Sequence, residues 1–188
     1  LWRINDLRTT LIAGSIVTSA WDLFQFYIPI YGHSIGLTAS AIGTILGVVS
    51  VATFVIRGVV PFLLKKFTEP QILSYSVFTA ALAFMLLPFF VNPYALAGIA
   101  FVLGLGVGCA QPISMSLIFV MTPRSRIAES TGLRKTVGNT VHLLVPLVFG
   151  SVGSAFGFAT VFMSNAAILA AGGLLMRNIR LAARDLKG

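Results

Sequence analysis

Apolar side chains run along this chain in six long blocks, and the polar breaks between them alternate in kind. The first block, from about Thr9 to Tyr31, ends at the uncharged turn His33-Ser34-Ile35-Gly36-Leu37-Thr38. The second runs from about Ala39 to Leu64 and stops at Lys65 and Lys66. Pro70 opens the third, which reaches Val91 before Asn92-Pro93 breaks it. The fourth covers about Tyr94 to Val120. After Thr122-Pro123 and a basic loop, the fifth runs from about Ala128 to Gly150, and Ser151 to Gly157 reads as a Gly-rich reversal. The sixth extends from about Phe158 to Met176. A helix needs about 20 apolar residues to cross a bilayer. The stretch from Pro70 to Pro123 holds no Asp, Glu, Lys or Arg at all, enough for two crossings. The pattern predicts an all-α polytopic membrane protein of six transmembrane helices.

Charge orients these spans. Twelve of the thirteen Lys and Arg residues fall in four clusters: Arg3 with Arg8; Lys65 with Lys66; Arg124, Arg126, Arg134 and Lys135; and Arg177, Arg180, Arg184 and Lys187. The reversals near His33, Asn92 and Ser154 carry none. Basic loops stay on the cytoplasmic side, so both termini and both basic loops are expected to be cytoplasmic. Three crossings carry the chain to the opposite face, which gives spans four to six an inverted topology relative to spans one to three, as in many transporters. Pro61 and Pro146 occupy the corresponding second and fifth spans.

Composition removes the soluble alternatives. With 57% hydrophobic and 10% charged residues and a mean hydropathy of +0.95, the chain cannot cover a water-facing surface. The net charge of +8 does not indicate nucleic-acid binding, because the basic residues border apolar runs instead of forming one face interleaved with aromatics. Cys109 is the lone cysteine, lies in an apolar stretch and reads as a packed small residue. The chain begins at Leu1 without a signal-peptide pattern and reads as part of a longer one.

Polar groups inside a span are costly and face a cavity, a partner or an interface. Asp22 lies roughly 14 residues into the first span, about 21 Å from its cytoplasmic end at the helical rise, and Ser15, Ser19, Asp22 and Gln25 form one stripe at helical spacing. Trp21 and Phe26 flank it. Two readings stand: the stripe lines a substrate path, with Asp22 binding a cationic group or exchanging a proton, or Asp22 makes a structural hydrogen bond to a neighbouring helix. Arg57 sits about 10 Å from the end of the second span, close enough to snorkel out. A direct pair between Arg57 and Asp22 is disfavoured by their difference in depth.

In the fourth span Gly104 and Gly108 have the small-xxx-small spacing of close helix approach, and Gln111-Pro112 and Ser114 follow as a weakened helix with ligand-capable polar groups. In the fifth span Lys135, Asn139, His142 and Pro146 make a second polar stripe, with His142 either a proton carrier or a hydrogen-bonded structural residue. Arg134 and Lys135 stand near the entrance, suited to topology or gating. No nucleophile motif, phosphate loop or metal-ligand cluster occurs, so no catalytic residues, metal or cofactor are expected.

Three segments carry a family likeness. Ile42-Gly43-Thr44-Ile45-Leu46-Gly47, continuing to Arg57-Gly58, Pro61 and Lys65-Lys66, is similar to the basic cytoplasmic loop motif of the major facilitator superfamily, without an acidic residue in that stretch. Thr122 to Arg134 is similar to that family's loop between the tenth and eleventh helices, and Pro146 to Gly157 to its eleventh-to-twelfth hairpin. Over essentially its whole length the chain resembles the carboxy-terminal six-helix half of such a transporter. The resemblance implies an inverted three-plus-three repeat, an amino-terminal six-helix half (or a second subunit) across a central cavity, alternating access by rocking, and peripheral third and sixth spans. Glu129 would pair with Arg124, Arg126 or Arg134 to lock the cytoplasmic ends.

The expected function is secondary active transport of a small organic solute across an inner or plasma membrane, proton-coupled and in the efflux direction. Its path would be lined by Trp21, Asp22, Gln25, Phe26, Gln111, Ser114, Asn139 and His142, with Arg57, Lys65, Lys66, Arg124, Arg126, Glu129 and Arg134 at the cytoplasmic gate. A non-transporting membrane scaffold or receptor, and an integral-membrane enzyme, are the competing classes. The scatter of polar residues speaks against the enzyme.

Overall fold

The breaks read from the sequence become helix caps. The computed structural model describes residues 5–122 and 126–185, with side chains described for residues 12, 14–120, 122 and 126–174. Helix α1 spans Asn5–Ser34, and Gly36, at φ 80°, turns the chain where a side chain would be strained. Thr38 then caps α2 (Ala39–Lys66), accepting from the Ala41 amide at 3.3 Å. Lys65 and Lys66 lie in its last turn, at the negative end of the helix dipole. Gln71 reaches back to the Thr68 amide at 3.0 Å and fixes the start of α3 (Glu69–Leu86).

Helix α3 stops short of the expected Val91: at Pro88 the chain tightens into a 3-10 turn over Leu87–Phe89 and then extends. Asn92 accepts from the Tyr94 amide at 2.9 Å and caps α4 (Pro93–Met121), with Pro93 in the first turn. The expected seven-residue reversal after α5 is also shorter. That helix runs Ile127–Phe156, and Gly157 alone, at φ 82°, makes the turn into α6 (Phe158–Asp185). Ser151 and Ser154 lie within the helix, where their hydroxyls donate back to the carbonyls of Leu147 and Ser151, both at 2.9 Å, in place of forming a turn.

Helix α4 packs along α2 and α3, α1 packs on α4, α5 and α6, and α3 packs on α6. Exchanging α1, α2 and α3 with α4, α5 and α6 maps this pairing onto itself: α2 with α4 becomes α5 with α1, and α3 with α4 becomes α6 with α1. Internal prolines follow the same exchange, with Pro29 and Pro112 inside α1 and α4, and Pro61 and Pro146 inside α2 and α5.

Glycines let α4 approach two neighbours. A Cβ on Gly104 would stand 2.5 Å from the Val49 carbonyl oxygen, and one on Gly108 would stand 2.5 Å from Ile56 Cγ2, both on α2. The opposite side of α4 meets α3, where a Gly106 Cβ would lie 2.9 Å from the Ser76 carbonyl. Cys109 is buried in this packing, as expected of a small core residue. An aromatic cluster closes one end of the bundle. Tyr31 meets Phe158 and Phe162 edge-on at 5.8 and 5.3 Å and donates to the Phe90 carbonyl at 3.3 Å. The three uncharged reversals therefore gather at one end.

Among the described residues four helices are individually long and apolar enough to span a bilayer: α2, α3 with its 3-10 extension, α4 and α5. Helix α6 contributes the shorter apolar stretch Phe158–Leu174, and Ser15, Thr18, Ser19, Asp22 and Gln25 break the apolar run of α1. Within their apolar windows only 17% of α2 and 11% of α5 is buried, against 56% for α3 and 61% for α4. Helices α2 and α5 thus carry the unpartnered faces, with Phe54, Phe62, Leu143 and Leu147 outward.

Candidate functional site

A cleft of about 580 Å³ opens among α1, α2, α4 and α5. Helix α1 gives it Gly14, Ser15 and Thr18; α2 gives Arg57; α4 gives Gln111 and Pro112. Helix α5 supplies Arg134, Lys135, Gly138, Asn139 and His142, a row at helical spacing on its inner side. Neither α3 nor α6 contributes to it. A smaller recess of about 120 Å³ is lined by Trp21, Thr53, Arg57, Val107 and Gln111, so the two cavities share Arg57 and Gln111.

The stripe on α1 therefore runs one position differently from the sequence reading. Thr18, not Ser19, follows Ser15 along the cleft; Ser19 is buried and its hydroxyl bonds to the Ile16 carbonyl at 2.7 Å. Phe26 is exposed, stacks edge-on against Tyr27 at 5.4 Å and is absent from the cleft lining. Gln25, one turn beyond Trp21, is half-buried and lines neither cavity.

Asp22 finds its partner across the helix interface. His142 Nδ1 lies 2.5 Å from Asp22 Oδ2, and apart from this imidazole that oxygen has no hydrogen-bond partner. The Asp22 side chain is 14% exposed and that of His142 50%, so the carboxylate sits behind the ring and the ring faces the cleft. With Nδ1 held by the carboxylate, Nε2 is the nitrogen left to a ligand or water. The pair also bridges α1 and α5. A second contact binds the same helices deeper in the bundle, where the Tyr27 hydroxyl donates to the Phe149 carbonyl and packs against Gly153.

Arg57 does not run out along the end of α2. Its Nη2 donates to Gln111 Oε1 at 3.2 Å, tying α2 to α4 at the junction of the two cavities. Arg134 Nη1 contacts Met115 Sδ at 3.2 Å, and with Lys135 it lines the cleft instead of a loop.

Ser114 leaves the set of path residues. It is fully buried, with its hydroxyl where a Cβ on Gly14 would fall at 2.6 Å, so it packs α4 against α1. Ser116, two residues on, points elsewhere and donates to Glu69 Oε1 at 2.6 Å, joining the end of α4 to the start of α3.

Of the residues expected at the cytoplasmic gate, Glu129 pairs with Arg126 Nε at 2.7 Å on an exposed first turn. The hydrogen bond and charge of that carboxylate push the Arg126 guanidinium above its already high ordinary value. Arg134 is not its partner, and Arg124 lies outside the described residues. Lys65 and Lys66 stand over the rings of Phe62 and Phe67 at 5.5 and 5.9 Å, away from the cleft. Among the described residues no group of His, Cys, Asp and Glu has metal-binding proximity.

The pairing symmetry of the helices, the cleft confined to four of them and the apolar spans define a polytopic helical membrane protein. The family model of the Major Facilitator Superfamily matches residues 8–186, and the chain belongs to that superfamily. It is 28% identical over 173 residues to a multidrug resistance protein, MdtG, of Enterobacter lignolyticus (strain SCF1), an alignment covering 89% of this chain and 41% of that protein. It is also 22% identical over 134 residues to an uncharacterized MFS-type transporter, YfkF, of Bacillus subtilis (strain 168), covering 71% of this chain and 34% of that protein. The chain thus spans less than half the length of either relative.

Proposed function

We propose that this chain forms one six-helix half of a secondary active transporter that moves a small organic solute by alternating access. The observation that carries the reading is the confinement of the polar cleft to α1, α2, α4 and α5, while α3 and α6 pack behind it. The outward apolar faces of α2 and α5 suit an amino-terminal six-helix half or a second subunit closing the cleft from the other side. The four basic clusters support a cytoplasmic position for both termini and both basic loops, in an inner or plasma membrane.

Coupling to protons is assigned to the Asp22–His142 pair. A carboxylate and an imidazole in contact share their protonation, so a proton taken up by either changes the bond that ties α1 to α5. A change at that bond alters how two cleft-lining helices meet, as alternating access requires. Asp22 acts here as a proton carrier instead of a cation site, because its Oδ2 is buried against the His142 imidazole, which stands between it and the cleft. The path residues are then Trp21, Gln111, Asn139 and His142, joined by Thr18, Arg57 and Lys135. Export as the direction fits the similarity to the Enterobacter protein, which is named for multidrug resistance.

The reading is tested in proteoliposomes holding the complete assembly that contains this chain. Solute movement driven by an imposed pH gradient and abolished by a protonophore supports it. Flux indifferent to the gradient removes proton coupling, and no flux of any solute removes transport.

A further inference from the structure

The charge lining the cleft is one-sided. Arg57, Arg134 and Lys135 face it, and no carboxylate does among the described residues. Each described acidic side chain is engaged elsewhere: Asp22 by His142, Glu69 by Ser116 and Glu129 by Arg126. Among the described residues the two arginines meet only neutral acceptors, Gln111 Oε1 and Met115 Sδ, each at 3.2 Å. Cations within a span are costly unless paired, and a concave low-dielectric wall concentrates their field. Arg57 also stands where the cationic cleft meets the recess lined by Trp21, Val107 and Thr53, with Gln111 holding one end of its guanidinium. A polar anchor for a negative group and a small apolar pocket are therefore contiguous.

We propose that the cleft binds an amphipathic organic anion, its oxyanion group held by Arg57 with Lys135 and its apolar part lodged beside Trp21. This rests on the cleft being the solute path and specifies the charge of what travels along it. The guanidinium fork suits a planar carboxylate, and Lys135, exposed on α5, adds a second donor without a fixed geometry. Asn139, between Lys135 and His142 on the same row, supplies a neutral donor and acceptor. The rival account is that these cations are neutralised by carboxylates of the other half, in which case the cleft has no preference for anions.

The test uses the complete assembly in nanodiscs and three probes of equal size: 2-naphthoate, 2-naphthamide and 2-naphthylmethylammonium. Titration calorimetry is expected to give saturable binding of naphthoate at least about tenfold tighter than of the amide or amine, the scale of one charge-assisted hydrogen bond. Arg57→Gln is expected to weaken naphthoate by about tenfold or more and the amide by less than about twofold. Arg57→Lys should recover part of the loss, and Lys135→Gln gives an independent, smaller weakening. Unchanged thermal unfolding shows that each variant is folded. Equal or tighter binding of the amine or amide, or naphthoate binding unaffected by both Arg57→Gln and Lys135→Gln, overturns the proposal. Parallel flux measurements separate the two readings. Naphthoate binding without flux leaves the anion site standing and removes transport, whereas flux of the amine or amide without naphthoate binding keeps transport and removes the anion site.

Discussion

His142 Nδ1 on α5 lies 2.5 Å from Asp22 Oδ2 on α1, and this contact joins two helices that both line the cleft. Removing either partner leaves the other partly buried without its mate, whereas removing both leaves a neutral pair. Asp22→Asn and His142→Gln are therefore expected to be non-additive. Each single variant should lower the thermal midpoint more than half as much as the double variant does. Equal, additive shifts would show that the pair is not coupled.

Close helix approach at α4 has an equally specific consequence. A methyl on Gly104 would press on the Val49 carbonyl at 2.5 Å and on Ala52 Cβ at 2.7 Å, and backbone cannot step aside as a side-chain tip can. Gly104→Ala should destabilise the α2–α4 contact by about 1–3 kcal/mol, the range for overpacking. Gly98→Ala, six residues earlier with nothing within 4 Å, should be neutral or slightly stabilising. A thermal-shift series in detergent distinguishes them, and equal effects would contradict the packing.

The Tyr27 hydroxyl gives α1 a second hold on α5 through the Phe149 carbonyl. Tyr27→Phe keeps the ring contacts with Phe158 and Phe162 and loses only that bond. A loss of about 1 kcal/mol is expected, as for one buried hydrogen bond. Hydrogen exchange should rise in the α5 segment around Phe149 and stay constant in α3. No change in α5 protection would mean that the bond does not anchor it.

Glu129 and Arg126 are a different case, because both are solvent-exposed and three residues apart on one helix end. Glu129→Gln should leave flux and thermal midpoint within experimental error. Since the pair holds Arg126 more firmly protonated than usual, its contribution is complete below the unfolded arginine range and is lost only as pH rises through the folded value. No pH dependence between 5 and 9 should arise from Arg126. A large transport defect in Glu129→Gln would restore the idea of a cytoplasmic lock.

Helix existence was legible in the chain because apolar runs end at residues with one local job: Thr38 and Asn92 cap, Pro93 starts a helix, and Gly157 takes a positive φ. Asp22 stood out for its charge alone, and the row on α5 followed from its spacing. What the pattern did not contain was which helix faces which. Asp22 and His142 are 120 positions apart, and nothing local links them. Thr18 and Ser19 both continue a helical stripe from Ser15, at steps of three and four, and only the packing of α1 on α4 and α5 puts Thr18 in the cleft. Ser114 and Ser116 look alike in sequence, yet Gly14 opposite the first and Glu69 opposite the second give them separate structural duties. Arg57 resembled a snorkelling residue until Gln111 proved to be within hydrogen-bond reach.

If, as proposed, a proton on the Asp22–His142 pair drives solute across the membrane, the single substitution Asp22→Asn breaks that coupling. In proteoliposomes of the complete assembly, Asp22→Asn should lose accumulation driven by a pH gradient by about tenfold or more, the lower range for loss of a proton-transfer group. Solute-for-solute exchange at uniform pH should persist, because it needs the path without net proton movement. Gradient-driven accumulation equal to that of the unmodified protein would contradict the account.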